Sequence, residues 1–194
     1  FIHWGLYSVP AYSPTARDGV SVYQRYAEWY WRRWNEKSDI QHFFTDFHNR
    51  VYGPGFKYQD FVHYFKAEMF NPSEWAEIFR RAGAKYVVLT SKHHEGFTLW
   101  PSKYSWNWNA MDAGPHRDLL GDLTKEVKDK GLKMGYYYSL LEWYHPLYKR
   151  ETIEQYVDQH MIPQMKELVT NYKPDLLWTD GEWDYPSEVL KSTQ

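Results

Sequence analysis

Cysteine is absent from the 194 residues. That excludes a disulfide framework, a thiolate nucleophile and any thiolate metal site, although it does not settle the compartment. Lysine and arginine never form a run long enough for a basic patch. With a formal charge of −2, a nucleic acid or anionic membrane held by counterion release is not expected as a partner. No apolar stretch approaches the roughly 20 residues that span a bilayer. The chain starts at Phe1 rather than Met, with no signal sequence to read, and stops at Gln194 inside what looks like a helix start. Both ends therefore read as cut, and targeting information is missing rather than absent.

What the chain has in excess is aromatic side chains: 11 Trp, 18 Tyr and 10 Phe, together 20% of residues. About half are expected to fill a bulky core. Others stand beside charged residues in "EWYWRRW" and "EWYHPLY", where flat apolar faces with polar neighbours would suit sugar C–H groups.

Four apolar segments run directly into polar ones. They are Phe1–Ile2 into "HWG", Tyr86–Thr90 into "SKHHEG", Met134–Leu140 into "EWYHP", and Leu176–Trp178 into "TDGEW". Between them lie helices with legible ends. "NPSEWAEIFRRAGA" offers Asn71 as N-cap, Pro72 at the first helical position and Glu74 three residues after the cap. Its predicted apolar stripe is Trp75, Ile78, Phe79 and Ala82, ending at Gly83. "RDLLGDLTKEVKDKG" offers Asp118 as cap, Leu119, Leu120, Leu123 and Val127 inside, and Gly131 as stop. A third helix is expected from about Thr152 to Tyr172, kinked at Pro163. Residues 11 to 65 are the least regular, with "VYGPGFKYQDF" punctuated as loop.

Strand and helix alternate, which implies parallel strands joined by crossovers. Long polar loops follow the strands, while the returns "AGAK", "DKGLK" and "YKPD" are short. That asymmetry predicts an α/β fold, a (β/α)8 TIM-like barrel with its site at the C-terminal strand ends, of which about the first four β/α units are present. An open doubly wound sheet is the runner-up, without a glycine-rich phosphate loop after the first strand.

Along "LLWTDGEW" the strand period puts Trp178 and Asp180 on one face. A carboxylate there can be a glycosidase nucleophile, a metal ligand or the cap of the next helix, and spacing alone leaves all three open. Glu182, farther from the strand, is expected at the rim. His93 and His94 are adjacent, and on an extended backbone they would not converge on one ion. Barrel metallohydrolases usually carry His-x-His on the first strand, whereas this chain has His3-Trp4-Gly5. Hydrogen bonding to hydroxyls, or to a neighbouring carboxylate or backbone, fits these histidines better.

"FIHWGLYSVPA", "AEWYWRRW", "AGAKYVVLTSKHHEGFTLWPS", "GPHRDLLGDL", "YYYSLLEWYHPLY" and "YKPDLLWTDGEW" together resemble glycoside hydrolase family 29, the α-L-fucosidases. The resemblance runs from Phe1 to about Pro186 in the family's motif order and is closest to the lysosomal-type branch. The stretch "YSPTARDGVSVYQRY" looks longer than in that branch. The resemblance implies that residues 1–194 are part of one catalytic barrel that hydrolyses α-L-fucosides with retention and without a cofactor. Asp180 matches the family's nucleophile, and Trp178 the tryptophan lining the sugar site. His3, the pair His93 and His94, and the pair Glu28 and Trp29 match residues that contact fucose. Tyr138 stands where some members place a substrate tyrosine, with Tyr136 as its substitute. No metal ligand is implied. These residue types suit a 6-deoxy sugar, which needs hydrogen-bond partners for three ring hydroxyls and an apolar spot for a methyl.

Retention also needs a second carboxylic acid about 5–5.5 Å from the nucleophile. In the family the acid/base lies beyond the nucleophile, past Gln194. None of Glu28, Glu95, Glu142 or Glu182 matches its position; Glu95 is expected to fix the histidines or their loop. The isolated 194 residues are therefore expected to be inactive. The competing class is a non-catalytic carbohydrate-binding barrel that keeps the aromatics and loses the acid. The resemblance implies fucosylated glycans as partners and a lysosomal or secreted, including periplasmic, location. It leaves a homo-oligomer open.

Overall fold

The computed structural model describes residues 1–191. They divide into two compact units. One is Trp4–Lys66; the other joins Phe1–His3 to the chain from Ala67 onward.

The first unit, though irregular in sequence, has an aromatic core. It carries helices α1 (Tyr30–Asn35) and α2 (Gln41–Val51), with short 3-10 turns around them. Tyr30, Phe44, Tyr58 and Phe61 are buried. His48 on α2 organises them. Its Nε2–H donates to the Phe56 carbonyl at 2.8 Å, which leaves Nδ1 to accept the Tyr30 hydroxyl at 2.9 Å. Burial pushes its pKa down, in keeping with a neutral ring used at both nitrogens. Trp34 stacks on His48, and Trp31 on Tyr58. Three of the four rings in "EWYWRRW" are thus spent on packing, against the expectation that they offer faces to sugar.

The second unit is α/β: α3 (Pro72–Arg81), β1 (Tyr86–Lys92), α4 (Leu119–Asp129), β2 (Lys133–Ser139), α5 (Ile153–Tyr156), α6 (Ile162–Tyr172), β3 (Leu176–Asp180) and α7 (Ser187–Leu190). The three strands form one parallel sheet in the order β1-β2-β3. The predicted first strand is reduced to a single parallel bridge, Ile2 on Leu89. The described residues thus form a small parallel sheet rather than a closed barrel.

The caps are as predicted. Asn71 Oδ1 accepts from the Glu74 N–H at 3.2 Å, and Asp118 Oδ1 from the Gly121 N–H at 2.8 Å. On α4 the residues Leu119, Leu120, Leu123 and Val127 are buried, as their spacing requires. The stripe proposed for α3 is only partly right: Ala76 is its buried residue, while Ile78 is 54% exposed and Ala82 is also exposed. The expected kink at Pro163 is instead a π-helical turn, Val157–Met161, immediately before α6. Proline has no N–H to continue the α ladder, and the wider turn absorbs the mismatch.

Parity along the strands decides what each residue can do. Tyr136 and Tyr138 point to the helices: the Tyr136 hydroxyl meets Thr124 Oγ1 at 2.7 Å, and Tyr138 donates to Gln164 Oε1 at 2.8 Å. Gly135 points the other way, where an added Cβ would lie 3.0 Å from Val88 Cγ2 and 3.1 Å from Leu176 Cβ.

Truncating Leu123 to Ala should cost about 2–5 kcal/mol, because the buried site cannot collapse fully. Asn71→Ala should cost only about 1 kcal/mol, the worth of one cap. Denaturant unfolding of the two variants beside the parent checks the order.

Candidate active site

β1 does not end regularly. Its pairing with β2 shifts between Thr90 and Lys92, so that Lys92 faces Tyr138. Ser91 occupies the bulge, and its hydroxyl donates to the Tyr137 carbonyl at 2.7 Å. A bulge of this kind re-aims the side chains that follow. Lys92 turns to the helix side, and the chain then folds over, with the Gly96 N–H on the His93 carbonyl at 3.1 Å. His93 and His94 leave the extended backbone, and their ring centroids lie 4.1 Å apart. They sit on a turn and not on an extended backbone, so the strand geometry assumed for them does not apply.

β2 and β3 supply the other walls. Tyr137 pairs with Thr90 and Trp178, and Ser139 with Asp180. The Tyr137 hydroxyl donates to Asp180 Oδ2 at 2.6 Å, and the Gly181 N–H donates to Asp180 Oδ1 at 2.9 Å. Both carboxylate oxygens are thereby oriented, while the side chain keeps 36% exposure. His94 Nε2 lies 3.9 Å from Asp180 Oδ2. The Ser139 hydroxyl donates to the Leu141 carbonyl at 2.5 Å, so it accepts from His94 Nδ1–H at 2.6 Å. This network assigns the tautomer and leaves Nε2 facing the carboxylate. His93 stacks on Tyr137, with centroids 5.5 Å apart, and His3 lies 6.1 Å from His93 and 5.8 Å from Tyr137. Trp178 is half exposed, with Phe1 edge-on to its ring.

Asp180, His3, His93, His94 and Trp178 therefore come together. Tyr138 does not. It is buried on the opposite face of β2, and its substitute Tyr136 shares that face, so Tyr137 is the tyrosine at Asp180. Glu28 and Trp29 belong to the first unit, in the turn Ala27–Trp29, with the Arg33 guanidinium over the Trp29 ring. Glu95 lies 3.7 Å from His93 Nδ1, the steadying position expected for it, and Glu182 is exposed. Sequence reasoning missed Trp143 and Trp183, whose rings pack against His94 at 5.2 and 5.6 Å. The repeated Glu-Trp pairs after β2 and β3 are the signal that could have found them.

Behind this face lies a buried charge cluster. Lys92 is fully buried, its Nζ 3.0 Å from Glu142 Oε2 and 4.1 Å above the Tyr138 ring. Glu142 also meets His160 Nε2 at 2.8 Å and the Tyr156 hydroxyl at 3.3 Å. Burial alone would raise the Glu142 carboxyl, but Lys92 and then His160 hold it well below the usual carboxylate range. Glu142, His145 and His160 could bring ligand atoms within 4.8 Å of one another. The Lys92 ammonium already supplies the positive charge there, which argues against an ion.

The family model described as Alpha-L-fucosidase matches residues 1–194. The chain belongs to the α-L-fucosidase family. It is 46% identical to the tissue α-L-fucosidase of Mus musculus over 198 residues, all of this chain and 40% of that protein. It is 48% identical to an α-L-fucosidase of Dictyostelium discoideum over 201 residues, all of this chain and 42% of that one. The α-fucosidase of Thermotoga maritima superimposes with a TM-score of 0.76 at 40% identity, over 92% of this chain and 43% of its own. The chain thus spans about two fifths of the length of these relatives. The small parallel sheet belongs to an α/β fold that resembles the fucosidase catalytic domain.

Burial lowers the His145 pKa from 6.5 to about 4. The unfolded chain therefore binds this proton at a higher pH than the folded one. The stability tied to His145 is present above pH 6.5 and is lost as pH falls through about 4. Urea midpoints measured between pH 7 and 4 should fall less steeply in His145→Gln than in the parent.

Proposed function

We propose that the protein carrying this chain is a retaining α-L-fucosidase that removes terminal α-L-fucose from glycoconjugates through a covalent fucosyl-enzyme. The observation that carries the reading is Asp180 at the end of β3. Both of its oxygens are oriented, by Tyr137 and Gly181, and it shares a face with the histidine cluster. Asp180 attacks the anomeric carbon as the glycosidic bond breaks, and the leaving oxygen takes a proton from a carboxylic acid supplied beyond Gln194. That group then deprotonates the water that releases fucose, and the two displacements together retain configuration.

His3, His93 and His94 bond the sugar hydroxyls, and Trp178 gives an apolar face to the ring and its methyl group. Tyr137 takes the place expected for Tyr138, and the family resemblance alone supports Glu28 and Trp29 as sugar-binding residues. Metal and cofactor have no part in the reaction. The small parallel sheet is read as part of a (β/α)8 barrel in a lysosomal or secreted protein.

Asp180→Gly in the full-length protein should lower kcat on an aryl fucoside by roughly 10³-fold or more. Azide should restore part of the turnover and yield β-fucosyl azide. Near-parental activity would remove Asp180 from the role, and a full-length parent that binds fucose without releasing it would favour a pure binder. Residues 1–194 alone should release no fucose from a natural glycan, since the acid and half of the barrel are wanting.

Two tyrosine variants test the pocket's parity. Tyr137→Phe should lower kcat/KM about tenfold or more, because an oriented carboxylate loses its donor. Tyr138→Phe should leave kcat/KM near the parental value and cost about 1 kcal/mol of stability, the worth of its buried hydrogen bond. Equal kinetic losses would contradict the assignment.

A further inference from the structure

The Lys92–Glu142 pair lies on the helix side of the sheet, yet both ends of the histidine turn are tied to it. Lys92 immediately precedes His93, and its ammonium is fixed by Glu142 at 3.0 Å and by the Tyr138 ring. Glu142 immediately precedes Trp143, whose N–H donates to the His94 carbonyl at 3.0 Å. The carboxylate also lies directly against the turn. Gly96 has φ +82°, and a Cβ there would stand 2.3 Å from Glu142 Oε1. The charged and titratable groups facing the carboxylate are Lys92 from β1, Tyr138 from β2, Tyr156 and His160 from the helical segment after β2, and His145 from the loop between.

A buried ion pair is a poor way to gain stability alone, because desolvation offsets much of the attraction and apolar residues of similar volume often do as well. What it provides is direction. An ammonium and a carboxylate locked by several partners leave the intervening backbone little freedom.

We propose that Glu142, held by Lys92, is a positioning residue that fixes the His93–His94 turn at the distance from Asp180 that the reaction requires. This rests on the fucosidase reading: the carboxylate acts through His94, touching neither sugar nor nucleophile. Its loss would let the turn relax while the sheet stays intact.

The test uses the full-length protein, an aryl α-L-fucoside and a competitive iminosugar of fucose configuration. Glu142→Gln alone strands the Lys92 charge and can fail to fold, so the informative variants are Lys92→Met with Glu142→Gln, and Glu142→Asp. The first removes both charges; the second keeps the charge and shortens its reach. At least one should melt near the parental temperature and lose about tenfold or more in kcat/KM, with iminosugar affinity falling in parallel. Introduced into His94→Phe, the same changes should add less than about twofold, because their effect passes through that ring. Parental kcat/KM and inhibitor affinity in a folded variant would overturn the proposal, as would full multiplication of the losses in the His94→Phe background. A wild-type protein that does not hydrolyse the fucoside would refute the proposed function instead.

Discussion

Successive side chains on a strand point to opposite faces, and β2 uses both completely. Tyr136 and Tyr138 enter the layer of α4 and α6, where their hydroxyls end on Thr124 and Gln164. Gly135, Tyr137 and Ser139 face the other way. One contributes close packing, one a hydroxyl to Asp180, and one a hydroxyl to His94. A slip of one residue would exchange the two sets and leave neither face workable. The parallel register of β1, β2 and β3 is therefore what everything else depends on.

The bulge at Ser91 is the one place where that alternation is broken. Without it Lys92 would follow Thr90 onto the site face and bring a lysine beside His93. With it the ammonium goes to the helix layer, where Glu142 is waiting, and the next two residues turn back together. The bulged residue finds partners: the Ser91 hydroxyl answers the Tyr137 carbonyl, and the Leu99 N–H answers Ser91's own carbonyl at 2.9 Å. A local irregularity thus converts a buried strand into a charge cluster behind the sheet and a histidine pair in front of it.

The regular elements were legible because their signals are local. Asn71 and Asp118 announce their helices, and Trp178–Asp180 announces a strand end, with no knowledge of partners needed. The tyrosine of the pocket was not. In "YYYS" three identical residues carry no phase, and only the pairing of Tyr137 with Trp178 tells which faces Asp180. That the histidine pair leaves the extended backbone was not legible for a related reason: a bulge has no sequence signature of its own. The Lys92–Glu142 contact joins residues 50 apart, which no spacing rule reaches. The aromatic packing of residues 4–66 hides in a stretch whose glycines and prolines speak only of loops.

These two layers differ in what they can tolerate. Behind β2 the helix side is buried, so its polar atoms must be matched, and the Lys92–Glu142–His160 cluster is stable only as a set. The site side is open, so Asp180 and Trp178 keep partial exposure and are held by a few directed bonds rather than by close packing. On the proposed fucosidase reading, a sugar bound there would replace water around groups already oriented, so little reorganisation would remain when charge develops at the anomeric carbon. The rigidity of these groups comes from the opposite face of the sheet. The chain can hold this carboxylate in a fixed direction because the neighbouring strand β2, which supplies the Tyr137 hydroxyl, is anchored on its other side by the buried Tyr136 and Tyr138.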